Sequence, residues 1–228
     1  MTARDLSGLA TVLALLVGLA GAAHAQQDRG DGFEAGLRIG YGLPLGKASD
    51  GADLNQGISG AVPLWLDLGY RAMPELFVGL YTHYGFGFVG DSLDPVCSLS
   101  GLDCSASDVR LGIQAHYHPA PRGSVDPWIG LGFGYEWSTW GASGGGVQLS
   151  ITPSGFELVN LQLGLDVPVS KRFYLGPVIS FSLDQFSSIS VDCSGAAGLC
   201  AGFGVDGDIP NKALHEWLVI ALRAAYAP

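Results

Sequence analysis

Between Phe33 and Tyr226 apolar residues recur at every second position. In the run FEAGLRIGY, Phe33, Ala35, Leu37, Ile39 and Tyr41 share one parity; Glu34, Gly36, Arg38 and Gly40 take the other. This is the alternation of a strand, whose successive side chains point to opposite faces. The pattern repeats in PLWLDLGYR, where Leu64, Leu66, Leu68 and Tyr70 oppose Trp65, Asp67, Gly69 and Arg71. It repeats again from Val78 to Phe88 and from Val109 to Tyr117. Four further runs follow, Ile129–Trp137, Val159–Val167, Phe173–Leu183 and Leu218–Tyr226. Eight strands are therefore predicted. Pro177 lies inside the seventh, which predicts a bulge there.

The predicted connections alternate in length. Residues 42–61, 89–107, 138–156 and 185–213 are long; 72–75, 119–126 and 168–172 are short. The order predicts an all-β, antiparallel up-and-down meander with four long loops at one end and tight turns at the other.

Alternation alone does not say which face points inward. A soluble barrel puts the apolar face inside, and a membrane barrel inverts it. Twelve strand glycines decide in favour of inversion. Gly36, Gly40, Gly69, Gly79, Gly85, Gly87, Gly112, Gly130, Gly132, Gly134, Gly164 and Gly176 all share the polar parity. Bare glycine makes a poor solvent face, but it relieves an eight-stranded interior that is only just wide enough for side chains. Aromatics on the apolar parity form two groups. Phe33, Tyr70, Tyr117, Phe173 and Tyr226 lie toward the short turns; Tyr41, Phe86, Phe88, Tyr135 and Trp137 lie toward the long loops. Two aromatic girdles around an aliphatic band mark a transmembrane barrel.

Composition agrees. Of 228 residues, 48% are of hydrophobic type and only 14% are charged, too few for an ordinary soluble surface. Eleven Lys and Arg stand against twenty-one Asp and Glu, a net charge of -10, which excludes a nucleic-acid partner. Residues 1–25 read as a signal peptide. They carry Arg4, an apolar run from Leu9 to Leu19 and the small-x-small site Ala23-His24-Ala25. Residues 26–32 then form a short N-terminal segment, and 33–228 form the barrel domain. Four cysteines occur as two local pairs, Cys97 with Cys104 and Cys193 with Cys200. Export favours disulfides, and the spacing does not suit zinc.

Six charges fall on the inward parity. Arg38, Arg110 and Arg223 are expected to pair with Asp67, Glu136 and Asp166, because a buried charge needs a partner. Counted from the turns, Arg110 and Glu136 lie at similar heights on adjacent strands, as do Arg38 and Asp67. No catalytic residue, cofactor or metal is expected. Ser182, Asp184 and His215 can converge at the upper rim in imitation of a hydrolase set, and rim residues of these types are ordinarily just solvated. His116-x-His118 puts two imidazoles on one face with no third ligand nearby. Asp206-Gly-Asp208 lacks the downstream Glu of a calcium loop. Asp50, Asp53, Asp91, Asp94, Asp103, Asp108, Asp192, Asp206 and Asp208 are read as acidic loop residues, with Lys47 and Lys212 opposing them.

Taken together, the leader, the eight alternating runs and the short–long connections resemble the small eight-stranded outer-membrane β-barrels of Gram-negative bacteria, the OmpX and OmpA-barrel type. The resemblance spans nearly all of Phe33–Tyr226 and is architectural. It implies an outer-membrane protein surrounded by lipid and lipopolysaccharide, and a monomer. A terminal aromatic, here Tyr226 followed by Ala227-Pro228, would be offered to the barrel-insertion machinery. The expected role is structural or surface-interacting, with the lumen filled by side chains. The alternatives are a narrow passive channel for small or hydrophobic solutes and, further off, a lipid-modifying enzyme.

Overall fold

The computed structural model describes residues 30–90, 97, 101–195, 200 and 205–227. The signal-peptide segment 1–25 lies outside the described residues. The strands are β1 (Gly32–Ser49), β2 (Ala52–Asp53), β3 (Ile58–Met73), β4 (Leu76–Val89), β5 (Asp103–Tyr117), β6 (Asp126–Gly144), β7 (Val147–Pro168), β8 (Phe173–Gly195), β9 (Val205–Asp208) and β10 (His215–Tyr226). All pairings are antiparallel. β10 pairs with both β8 and β1, so the eight long strands close into a ring and leave no open edge. The short strands β2 and β9 attach to the upper ends of β1 and β8.

The faces follow the alternation. Leu37, Leu66, Leu80, Ile113, Leu131, Leu163 and Ile220 point outward and are exposed. Trp65, Tyr81, Trp128, Tyr174 and Trp217 point inward and are buried together with most of the charged side chains. The inward glycines make room for these rings. A Cβ at Gly112 would lie 2.4 Å from the Tyr81 ring, and one at Gly164 2.3 Å from Trp128. The girdle residues Phe33, Tyr70, Tyr117 and Phe173 are exposed at the short-turn end, as are Tyr41, Phe86, Phe88 and Trp137 at the other; Tyr135 and Tyr226 are half-buried on the same outer face.

Two expectations need correction. The connections at one end are not four long loops. β1 runs on to Ser49 and β8 to Gly195, while β6 and β7 are joined by only Gly145-Gly146. Both glycines have positive φ, 58° and 79°, the backbone of a tight hairpin turn whose twist suits the strands it joins. β7 and β8 have 22 and 23 residues, about twice the 9–11 that cross a bilayer. Strand pairing thus extends well beyond the apolar belt as hairpins.

Pro177 makes no bulge. β7 pairs through Gly164↔Val178 and resumes at Val167↔Leu175 in the same register. Proline removes a donor but adds no residue, so the faces stay in phase.

The bulge lies elsewhere. Gly132 faces Asn160 but Gly134 faces Glu157, and the register to β8 shifts across the same residues. The extra residue, at Leu158–Val159, turns Glu157 inward although simple alternation points it outward.

The cysteines pair as Cys97–Cys104 and Cys193–Cys200. Non-reducing peptide mapping is expected to recover these two linkages, and a cross-link between the two pairs would contradict them. Each bridge closes a short loop worth about 2–3 kcal/mol in the chain-entropy view. The barrel ladder is independent of both, so a variant with all four cysteines replaced by Ser is expected to fold.

Candidate functional site

The lumen holds the protein's concentration of chemistry. Period two delivers it: β5 alone contributes Asp108, Arg110, Gln114 and His116 to the interior, each buried. Across the described residues the buried side chains include eight carboxylates, four arginines and four histidines. They form three tiers stacked along the barrel.

The tier nearest the hairpin end centres on Arg110. Its guanidinium lies 2.9 Å from Asp108, 3.0 Å from Glu136, 3.1 Å from Glu157 and 3.5 Å from Asp184. Glu136 also accepts from Trp217 Nε1 at 3.1 Å and faces His215 Nε2 at 2.8 Å. Glu157 accepts from the Tyr81 hydroxyl and from Asn160 Nδ2. Four buried carboxylates surround one arginine here, with His83 beside Asp108 at 3.6 Å.

The middle tier is a fork. Arg38 Nε and Nη2 each lie 2.8 Å from one oxygen of Asp67, a bidentate pair. Its Nη1 donates to Gln162 at 2.9 Å, and Gln114 Nε2 donates to Asp67 at 2.7 Å. Trp65 lies under the guanidinium, 4.7 Å from it.

At the short-turn end Arg223 joins three strands. It reaches Asp166 at 2.7 Å, Glu34 at 2.9 Å and Asp67 at 3.4 Å. Arg71 donates to Glu34 at 2.6 Å and caps the Pro74 carbonyl at 2.7 Å. His118 Nδ1 faces Asp126 at 2.9 Å.

Above the Arg110 tier the interior changes character. Leu54, Ile58, Ala61, Ala106, Phe186, Ile209 and Trp217 pack as an apolar cluster across the bore.

All six charges singled out from the sequence lie in these tiers: Arg38 with Asp67, Arg110 with Glu136, and Arg223 with Asp166. Sequence reasoning missed Glu34, Arg71, Glu157, Asp184, His215 and Asp108 as members of the network. Asp108, expected among the loop acids, is buried in β5 against Arg110. The signal was present, since it shares the inward parity of Arg110 two positions on.

Two further readings are overturned. Ser182, Asp184 and His215 are not a solvated rim group; all three are buried. Nor are they ordered as a nucleophile relay. The Ser182 hydroxyl donates to Asp184 at 2.6 Å and accepts from Arg110 at 2.7 Å, while the imidazole faces Glu136. A nucleophile would need that proton to point at the histidine. The second concerns His118, which does have acidic neighbours. His118, Asp126 and Asp166 bring ligand-type atoms within 4.8 Å of one another, as do Glu136, Asp184 and His215. Each group already contacts a guanidinium, Arg223 in the first and Arg110 in the second, which fills the role of the cation. His116 does not complete the first group; its ring stacks on Trp128 at 4.5 Å.

A closed eight-stranded ring with an apolar outer belt and an ionic interior is a transmembrane β-barrel, of the small outer-membrane kind. No family model matches the chain, and no curated protein sequence matches it. Solved structures do. The crystal structure of Neisserial surface protein A superposes with a TM-score of 0.51 at 11% identity, over 84% of this chain and 95% of that one. A major outer membrane protein of Thermus thermophilus gives 0.48 at 15%, over 86% and 99%. The outer membrane protein AlkL gives 0.49 at 16%, over 91% and 94%. The likeness to Neisserial surface protein A, at 11% identity, bears on the fold alone.

Proposed function

We propose that this chain is an integral outer-membrane protein, exported on a cleaved signal peptide and inserted as a monomer. Its barrel serves as a sealed anchor, and its hairpins provide a structural or surface-interacting role beside lipopolysaccharide. The observation that carries this reading is the filled lumen. Three tiers of paired charge and an apolar cluster cross the bore, and an eight-stranded barrel has no width to spare around them. The same occupancy argues against chemistry, since the four buried arginines are each paired with buried carboxylates. The acidic hairpin residues Asp50, Asp53, Asp192, Asp206 and Asp208 are exposed and can be bridged to anionic lipid by divalent cations.

The test is electrical. Purified protein in a planar bilayer is expected to give no resolved conductance steps. Regular openings that change when Arg110 or Arg38 is replaced would favour a narrow channel instead. Recovery in the outer-membrane fraction, as a band whose gel mobility shifts on heating, is the accompanying expectation for location and fold.

A further inference from the structure

Beyond the apolar cluster the hairpins enclose a second compartment, separate from the lumen. It is a cavity of about 560 Å³, within the range of small-molecule sites. Its wall is apolar, formed chiefly by Trp140, Leu149, Ile151, Pro153, Ile189 and Ile209. Its floor is the apolar cluster itself, which shares Ile209 and Ala48 with the lining. The compartment is therefore blind.

Its margin is predominantly acidic. Asp50, Asp53 and Asp208 line the margin and are exposed, and no Lys or Arg is among the described lining residues. Lys47, opposite Asp53 on β2, and Lys212 are the basic residues of this end, and the acids outnumber them.

Trp140 connects the two features. Its ring lies over Gly57, where a Cβ would come within 2.5 Å, so the indole is held flat as part of the wall. An aromatic face and carboxylates lining one cavity are the chemistry that holds an alkylated ammonium.

We propose that this vestibule binds an apolar molecule bearing one positive charge, a lipophilic ammonium. Its apolar body packs on Leu149, Ile151, Ile189 and Ile209, and its cation takes the Trp140 face and the charge of Asp50, Asp53 and Asp208. This goes beyond the surface role proposed above and does not depend on whether the lumen conducts. A conducting barrel would leave it standing, and failed ligand binding would leave the sealed anchor standing.

The experiment uses the full mature protein in phosphatidylcholine nanodiscs, because detergent would compete for an apolar cavity. Decyltrimethylammonium below its micelle concentration is titrated calorimetrically, with empty nanodiscs as reference and decyl sulfate and decanol as matched probes. One saturable equivalent is expected, with preference over both matched probes of about tenfold or more. Asp50→Asn/Asp53→Asn/Asp208→Asn is expected to remove that preference, and Ile151→Arg is expected to abolish binding. These side chains lie outside the ionic tiers, so the fold should persist, and the heat-dependent gel shift verifies it. Equal binding of decyl sulfate or decanol, an undiminished preference in the triple variant, or no saturable heat above empty nanodiscs overturns the proposal.

Discussion

Replacing Arg110 with Met is expected to destabilise the barrel by about 3–5 kcal/mol, the usual cost of removing one partner from a buried ion pair. Arg110 is 1% exposed, and its guanidinium reaches Asp108, Glu136, Glu157 and Asp184 within 3.5 Å. Without it, four carboxylates would face one another in a compartment that excludes water. Met fills much of the volume, so the loss reports charge more than packing. Relief should come from the acids. Adding Glu136→Gln and Glu157→Gln to Arg110→Met should recover a substantial part of the loss, because neutral amides need no counter-charge. Urea unfolding of protein refolded into phosphatidylcholine vesicles, followed by Trp fluorescence, measures both steps. A midpoint shift at constant slope is expected. Lys171→Met, on an exposed turn, should stay within about 0.5 kcal/mol. If Arg110→Met loses no more than Lys171→Met, the tier does not hold the barrel together.

How far the sequence reveals this network depends on which physical rule orders each part. Within the apolar belt every strand has one face against lipid and one against the lumen, so period two persists and eight strands can be read directly. Arg110 and Glu136 were legible because they are direct cross-strand partners at countable heights. Arg38 stands opposite Trp65 and reaches Asp67 diagonally, still within one strand pair. Arg223 and Asp166 were harder, since β8 lies between their strands and they meet over its Gly176. Glu157 needed a bulge, which alternation cannot foresee. An acid on the apolar parity just before adjacent Leu158 and Val159 was the available sign. The hairpins escaped because they leave the membrane. Outside the belt the outward face meets water and the inward face meets only a small cavity, so through STWGASGGGVQLSITPS the apolar parity shrinks to Leu149, Ile151 and Pro153 and the segment reads as loop.

Inversion of the faces is the premise on which the membrane reading depends, and Leu131→Arg tests it at one position. The Leu131 side chain is 56% exposed on the outer belt, with Ala115 and Leu161 beside it on the neighbouring strands. Arginine near the midplane of a lipid-facing surface costs about 2–4 kcal/mol, and less toward either interface. A graded series should follow, with the loss at Leu131 exceeding that of Arg placed at Tyr117, in the girdle at the short-turn end. The inward face should fail for the opposite reason. Gly164→Leu drives a side chain into the Trp128 ring, and overpacking a filled interior costs about 1–3 kcal/mol. Stability alone does not distinguish lipid from a protein interior, so accessibility must. Single Cys variants at Leu66, Leu131 and Leu163, in the background with all four native cysteines replaced, can carry spin labels. Relaxation by lipid-soluble oxygen together with protection from a water-soluble nickel complex is the expected pattern at all three. Labels reached by nickel would put water on the apolar face. Labels shielded from both reagents would turn that face inward, and the chain would then be an exported soluble barrel, contrary to its ionic interior.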